Sequence, residues 1–238
     1  MAKRINTKFI KLIKYYNLIN HNLIYENKAI NRYKINSNLS VKGTKGKELQ
    51  ELKQLITNIK NCVLKKNSTN IVFSDGNPNA KIMIVGEGPG ANEDLEGVPF
   101  IGRTGELLDK MLSSINLDRD SVYITNVVNF RPPENRNPTQ EEITRYLPYL
   151  TKHIEIIDPK ILILLGSAAL NTVIGGDQVI SEVRGKWIDK KIGSCNTSVI
   201  ASFHPAFLMR QPDQKKMSWI DLKMIRKKIS DLEINIEK

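Results

Sequence analysis

Short runs of glycine, acid, amide and imidazole residues directly end or follow four apolar segments of this chain. The first run is Gly86-Glu87-Gly88-Pro89-Gly90, which follows the apolar segment 82–85. Glycines let backbone N–H groups approach a ligand closely, and Glu87 adds a carboxylate. The run is not a Walker phosphate loop, because no Gly-Lys-Ser/Thr follows it.

The three other runs carry an amide, a hydroxyl and an imidazole. Asn126 lies in the apolar segment 122–128, where an amide is costly unless it is paired, so a ligand contact is favoured over core filling. Gly166-Ser167 can bind an anion at a helix start, although every strand–helix unit has such a turn. A lone histidine is usually structural, but the other three runs favour a functional role for His204.

Helical patterns separate these apolar segments, over residues 104–115, 139–156 and 167–174. The alternation predicts an α/β fold, with a mostly parallel sheet between two helix layers (α/β/α). Ligands of such sheets bind beyond the carboxyl ends of the strands, so we expect the four runs to line one crevice. The sequence also predicts a small hairpin near residues 184–187 and a last helix over 213–232.

Charge and composition narrow the class of partner. The 238 residues carry a formal net charge of +11 and a pI of about 9.5, which favours nucleic acid first and an anionic membrane second. A merely solubilising, lysine-rich surface is the alternative. No apolar stretch is as long as a membrane helix, and polar residues interrupt any signal-peptide core, so a cytoplasmic protein without a membrane partner is predicted.

The chain is predicted to have two parts. Residues 1–45 form a basic N-terminal extension, helical or partly disordered, and residues 46–238 form the main domain, which opens with a helix over 47–61. The extension could add nonspecific DNA affinity or be a tail without a function. Docking to a membrane or to another protein stays open.

Five motifs, spread in order over about residues 61–222, resemble the family 4 uracil-DNA glycosylases. They are 86–90 with 99–105, 126–128, 131–136, 165–166 and 204–210. The resemblance implies a central four-stranded sheet and a monomeric enzyme that excises uracil from DNA and leaves an abasic site. Two alternatives remain: a catalytically weak nucleic-acid-binding relative, or a glycosylase for another deaminated base such as hypoxanthine.

The resemblance also implies roles for pocket residues. Phe100 would stack on the flipped uracil, Asn126 would hydrogen-bond the pyrimidine edge, and His204 would donate to uracil O2. Gly86 and Glu87 would contact the base and order a water molecule. A strong general base is missing, because Gly88 stands where family 1 enzymes carry an aspartate. We therefore expect a dissociative route in which Glu87, or else Glu93 or Asp94, orients the water.

Four more residues would contact DNA by the same resemblance. Leu208 matches the residue that wedges into the duplex, Arg210 would lie near a phosphate, and Gly166 and Ser167 would bind the backbone phosphate.

The chain departs from the family at its cluster. Family 4 enzymes typically hold a four-iron, four-sulfur cluster on four cysteines. Cys62 matches one of them, whereas Ile59, Phe130 and Tyr146 stand at the other three positions. One thiolate cannot hold a cluster, so the sequence predicts no iron–sulfur cluster and no cofactor, with Cys62 as a small buried hydrophobe.

Overall fold

The computed structural model describes residues 45–235. The proposed N-terminal extension lies outside them except for its last residue, so the division into two domains stays a prediction. Within the described range, no helix combines the length and the apolar character needed to cross a membrane.

One sheet of six strands forms the centre of the described residues. The strands are β1 (Asp75–Gly76), β2 (Ile82–Gly86), β3 (Tyr123–Asn126), β4 (Ile161–Leu165), β5 (Trp187–Ile192) and β6 (Cys195–Ser202). Their order is β1-β3-β2-β4-β6-β5, and the four central strands are parallel. The mostly parallel sheet is thus confirmed. Antiparallel β1 and β5 extend it at its edges, and β5 with β6 forms the expected hairpin.

Helices cover both faces of the sheet. They are α1 (Lys45–Thr57), α2 (Val63–Lys66), α3 (Ala91–Glu96), α4 (Gly102–Ser113), α5 (Gln140–Ile157), α6 (Ser167–Ile174), α7 (Ile180–Val183), α8 (Pro205–Arg210) and α9 (Lys215–Asp231). Alternate residues of β2 point to opposite faces, as strand geometry requires. Met83 and Val85 pack with α1, α5 and α6, whereas Ile82 and Ile84 pack with α4, α8 and α9. This arrangement confirms the three layers.

Local signals explain the helix starts nearest the sheet edge. Thr139 caps α5, because its hydroxyl accepts a hydrogen bond from the Glu142 N–H at 3.2 Å while Glu142 accepts one from the Thr139 N–H at 2.8 Å. His204 is the N-cap of α8, and Pro205 occupies the first position of that helix, where no amide hydrogen is needed. These caps fix where each helix leaves the carboxyl edge of the sheet.

Candidate active site

The parallel register aligns the strand ends that carry the candidate site residues. Gly86 and Asn126 are paired across β2 and β3, and Leu165 is paired with Ser202 across β4 and β6. The N–H of Gly166, one residue beyond β4, donates to the Ser202 carbonyl at 2.9 Å. His204 lies two residues beyond β6, so all four runs meet at one edge.

The Phe100 ring connects three of these strand ends. A Cβ atom added to Gly86 would lie 2.4 Å from Asn126 Oδ1 and 2.5 Å from Phe100 Cζ, so only glycine fits between them. The Phe100 ring also stacks on His204, with 5.4 Å between ring centroids and an interplanar angle of 30°. The structure thus brings Gly86, Phe100, Asn126 and His204 into one cluster.

This cluster is almost closed to solvent. Phe100 and Asn126 are each 4% exposed, whereas Glu87 and His204 are half-buried and so remain partly accessible to solvent. Within residues 45–235, the Asn126 amide has no hydrogen bond to another side chain or to the backbone, yet it is not sealed off from solvent. A buried amide normally has a partner, so Asn126 is an amide group that a ligand can satisfy.

The tautomer of His204 follows from its capping contact. Its Nδ1 accepts a hydrogen bond from the Ala206 N–H at 3.2 Å, so the neutral ring carries its proton on Nε2. Burial first, and then the charge of Arg210, lower the pKa of His204 to about 4. At neutral pH the ring is therefore uncharged and offers one N–H donor.

Gly166 makes room for this imidazole. Its φ is +91°, a left-handed value that favours glycine, and an added Cβ would lie 3.2 Å from the His204 Cβ.

An arginine that sequence reasoning missed holds Phe100 in place. Phe100 has a left-handed φ of +53°. Arg119 donates from Nη1 to the Pro99 carbonyl at 3.2 Å and from Nη2 to the Phe100 carbonyl. Asp75 and Asp109 bind the same guanidinium at 2.6 Å and 2.8 Å. No sequence signal marks Arg119, because it lies in a polar stretch before β3.

The hydrogen bonds from Arg119 to the Pro99 and Phe100 carbonyls form a clamp on Phe100, and Gly105, in the first turn of α4, completes it. A Cβ atom added there would lie 1.8 Å from the Phe100 carbonyl oxygen, so the carbonyl occupies the space that a side chain would need.

The three acids near the first loop differ in their surroundings. Glu93 accepts a hydrogen bond from the Gly90 N–H at 3.1 Å and so caps α3. Buried Asp94 accepts from the N–H groups of Thr69 and Asn70 at 2.9 Å and 3.2 Å. Both therefore have structural partners, whereas Glu87 has no such contact within the described residues. Burial raises the pKa of Glu87, and the positive charge of Arg210 opposes this rise.

The structure corrects the prediction for Leu208. This residue is 1% exposed and packs in the core with α4 and α9, so it cannot reach a duplex in this conformation. The reason is the phase of α8, which turns Leu208 inward and leaves Met209 half-buried and Arg210 exposed. Ser167 is also exposed, at the start of α6, and the phosphate contacts of Gly166, Ser167 and Arg210 stay predictions.

The positions that match the cluster cysteines are buried in one core layer. Cys62 Sγ lies 3.4 Å from the Tyr146 hydroxyl, and Ile59 and Phe130 belong to the same apolar cluster. One thiol among these four residues does not fit a four-cysteine iron–sulfur site. Over residues 45–235, no three histidine, cysteine or acidic side chains gather as metal ligands would.

Comparison with known proteins gives one consistent family. The model of the uracil DNA glycosylase superfamily matches residues 73–225. The chain is 42% identical over 183 residues to the type-4 uracil-DNA glycosylase of Sulfurisphaera tokodaii, covering 75% of this chain and 83% of the relative. The type-4 enzyme of Archaeoglobus fulgidus is 39% identical over 74% of this chain and 91% of its own length. The type-4 enzyme of Thermotoga maritima is 45% identical over 63% of this chain and 77% of its own length.

These relatives overturn the prediction that the protein has no cofactor. They are type-4 enzymes, the class in which an iron–sulfur cluster is typical. The side chains of Ile59, Phe130 and Tyr146 exclude only the four-cysteine arrangement at these positions. They do not establish that the protein lacks a cofactor. The prediction was too broad because it inferred the absence of any cofactor from the absence of three cysteine ligands.

The match extends over most of the described residues and includes every strand end that forms the cluster around Phe100. The chain belongs to the uracil-DNA glycosylase superfamily and, within it, to the type-4 family.

Proposed function

We infer that this protein is a DNA repair enzyme that hydrolyses the N-glycosidic bond of uracil in DNA and leaves an abasic site. Its type-4 relatives are named for uracil-DNA glycosylase activity. The observation that carries the proposal is the nearly buried Asn126 amide, which has no partner in the described residues and lies beside Phe100 and Gly86. An aromatic ring next to an unpaired amide suits a planar base with a polar edge.

Recognition of uracil follows from these groups. The Asn126 amide offers one acceptor oxygen and a donor NH₂ group, which complement the N3–H and O4 of uracil. Phe100 would stack on the base, and stacking on an aromatic side chain is worth roughly 1–3 kcal/mol. The absence of a side chain at Gly86 lets the Phe100 ring and the Asn126 amide lie close together. Stacking helps to offset the cost of base extrusion, a few kcal/mol.

Bond cleavage leaves negative charge on the departing uracil. His204 is neutral and carries its proton on Nε2, so this N–H can donate a hydrogen bond to uracil O2. A preorganised donor of this kind is worth about 3–4 kcal/mol in the transition state. Gly88 provides no carboxylate, so we propose a dissociative route in which the half-buried Glu87 orients the attacking water.

The DNA backbone would bind around the same edge. The Gly166 N–H is already bonded to Ser202, so the Ser167 N–H and hydroxyl are the groups left for a phosphate at the start of α6. Exposed Arg210 would contact a second phosphate. We further propose that residues 46–238 form the catalytic domain, that residues 1–45 form an extension, and that the protein acts as a cytoplasmic monomer.

Alkaline cleavage of uracil-containing oligonucleotides tests the activity. We expect the protein to create alkali-labile sites in single- or double-stranded DNA at uracil positions, and His204→Ala or Asn126→Asp to abolish them. Asn196→Asp, at an exposed position of β6, is the matched control and should keep the activity.

Two results would contradict the proposal. Binding without excision would indicate a noncatalytic relative. Faster excision of hypoxanthine than of uracil in a competition assay would indicate a different lesion.

A further inference from the structure

A surface cavity lies beside the candidate active site, between two helices that both begin at residues of that site. Helix α4 starts two residues after Phe100, and α8 starts directly after His204. The two helices pack against each other, and a cavity of about 230 Å³ opens between them and the first residue of α9. Its lining consists of Arg103, Glu106, Leu107, Lys110, Met209 and Lys215.

The lining is strongly cationic. Arg103, Lys110 and Lys215 are exposed and face a single acid, Glu106. None of the three cations lies within 4.0 Å of a carboxylate in the part of the chain that the structure describes. Their charges are therefore available to an anion from outside.

We propose that this cavity is a phosphate subsite for the DNA strand on one side of the uracil. The proposal rests on the proposed function, because it takes the strand to pass over the cluster around Phe100. A water molecule takes up about 30 Å³ in the liquid, so the cavity has room for a phosphodiester group and several waters. Half-buried Leu107 and Met209 form an apolar floor against which a deoxyribose can pack.

The spacing of the cations fits a strand that runs along α4. Arg103 and Lys110 are seven residues apart, or about 10 Å at 1.5 Å per residue. This distance exceeds the axial rise of one DNA strand, about 3.4 Å per nucleotide, so the two cations can contact different phosphates of the same strand. A membrane surface fits less well, because the apolar side chains of the cavity are recessed between the charged ones.

Paired charge-neutral variants test the subsite by salt dependence. Lys110→Gln/Lys215→Gln removes two of the cavity charges. Lys81→Gln/Lys160→Gln removes the same charge from exposed positions just before β2 and β4, at the opposite edge of the sheet. Binding to a uracil-free duplex is measured by fluorescence anisotropy between 0.05 and 0.5 M salt (about one decade), because each phosphate contact contributes about −0.9 to the slope of log K against log salt.

We expect the cavity variant to bind with a slope less steep by about 2 and, near 0.1 M salt, up to about 60-fold more weakly than the unchanged protein. The control variant should keep the slope. Equal losses in both variants would show a general charge effect and overturn the subsite, as would an unchanged slope in the cavity variant. Thermal unfolding of each variant verifies that it is folded.

The readout separates this proposal from the proposed function. The duplex contains no uracil, so the binding result can be read even if the protein shows no excision. Conversely, a protein that excises uracil but gives equal slopes for both variants would retain its function and lose only the subsite.

Discussion

Replacing Arg119 with alanine should release Phe100 from the position in which it can stack on a base. The guanidinium donates two hydrogen bonds to the Pro99 and Phe100 carbonyls, and bonds from charged donors contribute about 1.5–3 kcal/mol each. The left-handed backbone at Phe100 costs about 1–2 kcal/mol. Once the clamp is removed, this cost favours a different backbone conformation.

The expected loss is the stacking contribution of Phe100. At roughly 1–3 kcal/mol, this contribution corresponds to a decrease in kcat/KM of about 5- to 150-fold. Arg119→Ala should approach the effect of Phe100→Ala, and the double variant should be little worse than Phe100→Ala alone, because both changes remove the same contact. Single-turnover and steady-state excision from a uracil-containing duplex measure these values.

Arg145→Ala provides the matched control. Arg145 also donates to two backbone carbonyls, those of Lys60 and Asn61, but it lies on α5, away from the cluster around Phe100. All assays are run below the unfolding temperature of the least stable variant. Additive losses for Arg119→Ala and Phe100→Ala, or an Arg119→Ala variant that melts earlier with unchanged kcat/KM, would refute the clamp.

Three further predictions concern charge and space. Burial raises the pKa of Glu87, so kcat/KM should fall as the pH drops through that pKa, and Glu87→Gln should lower the rate and remove this acid limb of the pH–rate profile. No step is expected at the usual histidine pKa of 6.5, because the pKa of His204 is already lowered to about 4. Burial lowers the pKa of His153 to about 3. The unfolded state therefore takes up the proton first, and the free energy of unfolding decreases as the pH falls below about 6.5. His153→Gln should reduce that decrease by about 1.4 kcal/mol per pH unit, as measured by urea unfolding between roughly pH 6 and pH 4. Gly86→Ala places a methyl group 2.4 Å from Asn126 Oδ1 and should reduce kcat/KM by at least about tenfold, whereas Gly46→Ala, which meets no atom within 4 Å, should leave it unchanged.

The convergence of Gly86, Asn126 and His204 could be anticipated because parallel strands end at one edge of a sheet, and each of these residues ends or follows such a strand. The sheet order and the short β1 could not, since two residues of β1 carry no periodic pattern.

The remaining features depend on details that the sequence pattern does not contain. The burial of Leu208 depends on the rotation of a six-residue helix against the core, and a shift of one position would expose it. The contact between Arg119 and Phe100 depends on a positive φ at a residue that seldom adopts one. Both are products of tertiary packing rather than of local propensity.

The pairing of Gly86 with Asn126 across β2 and β3 limits how this protein can change during evolution. Side chains alternate along a strand, so inserting or deleting one residue in either strand would turn the amide away from the glycine and abolish recognition in a single step. Length variation is therefore expected in exposed connections such as residues 175–179, between α6 and α7. New base preferences should arise by substitution at constant strand length.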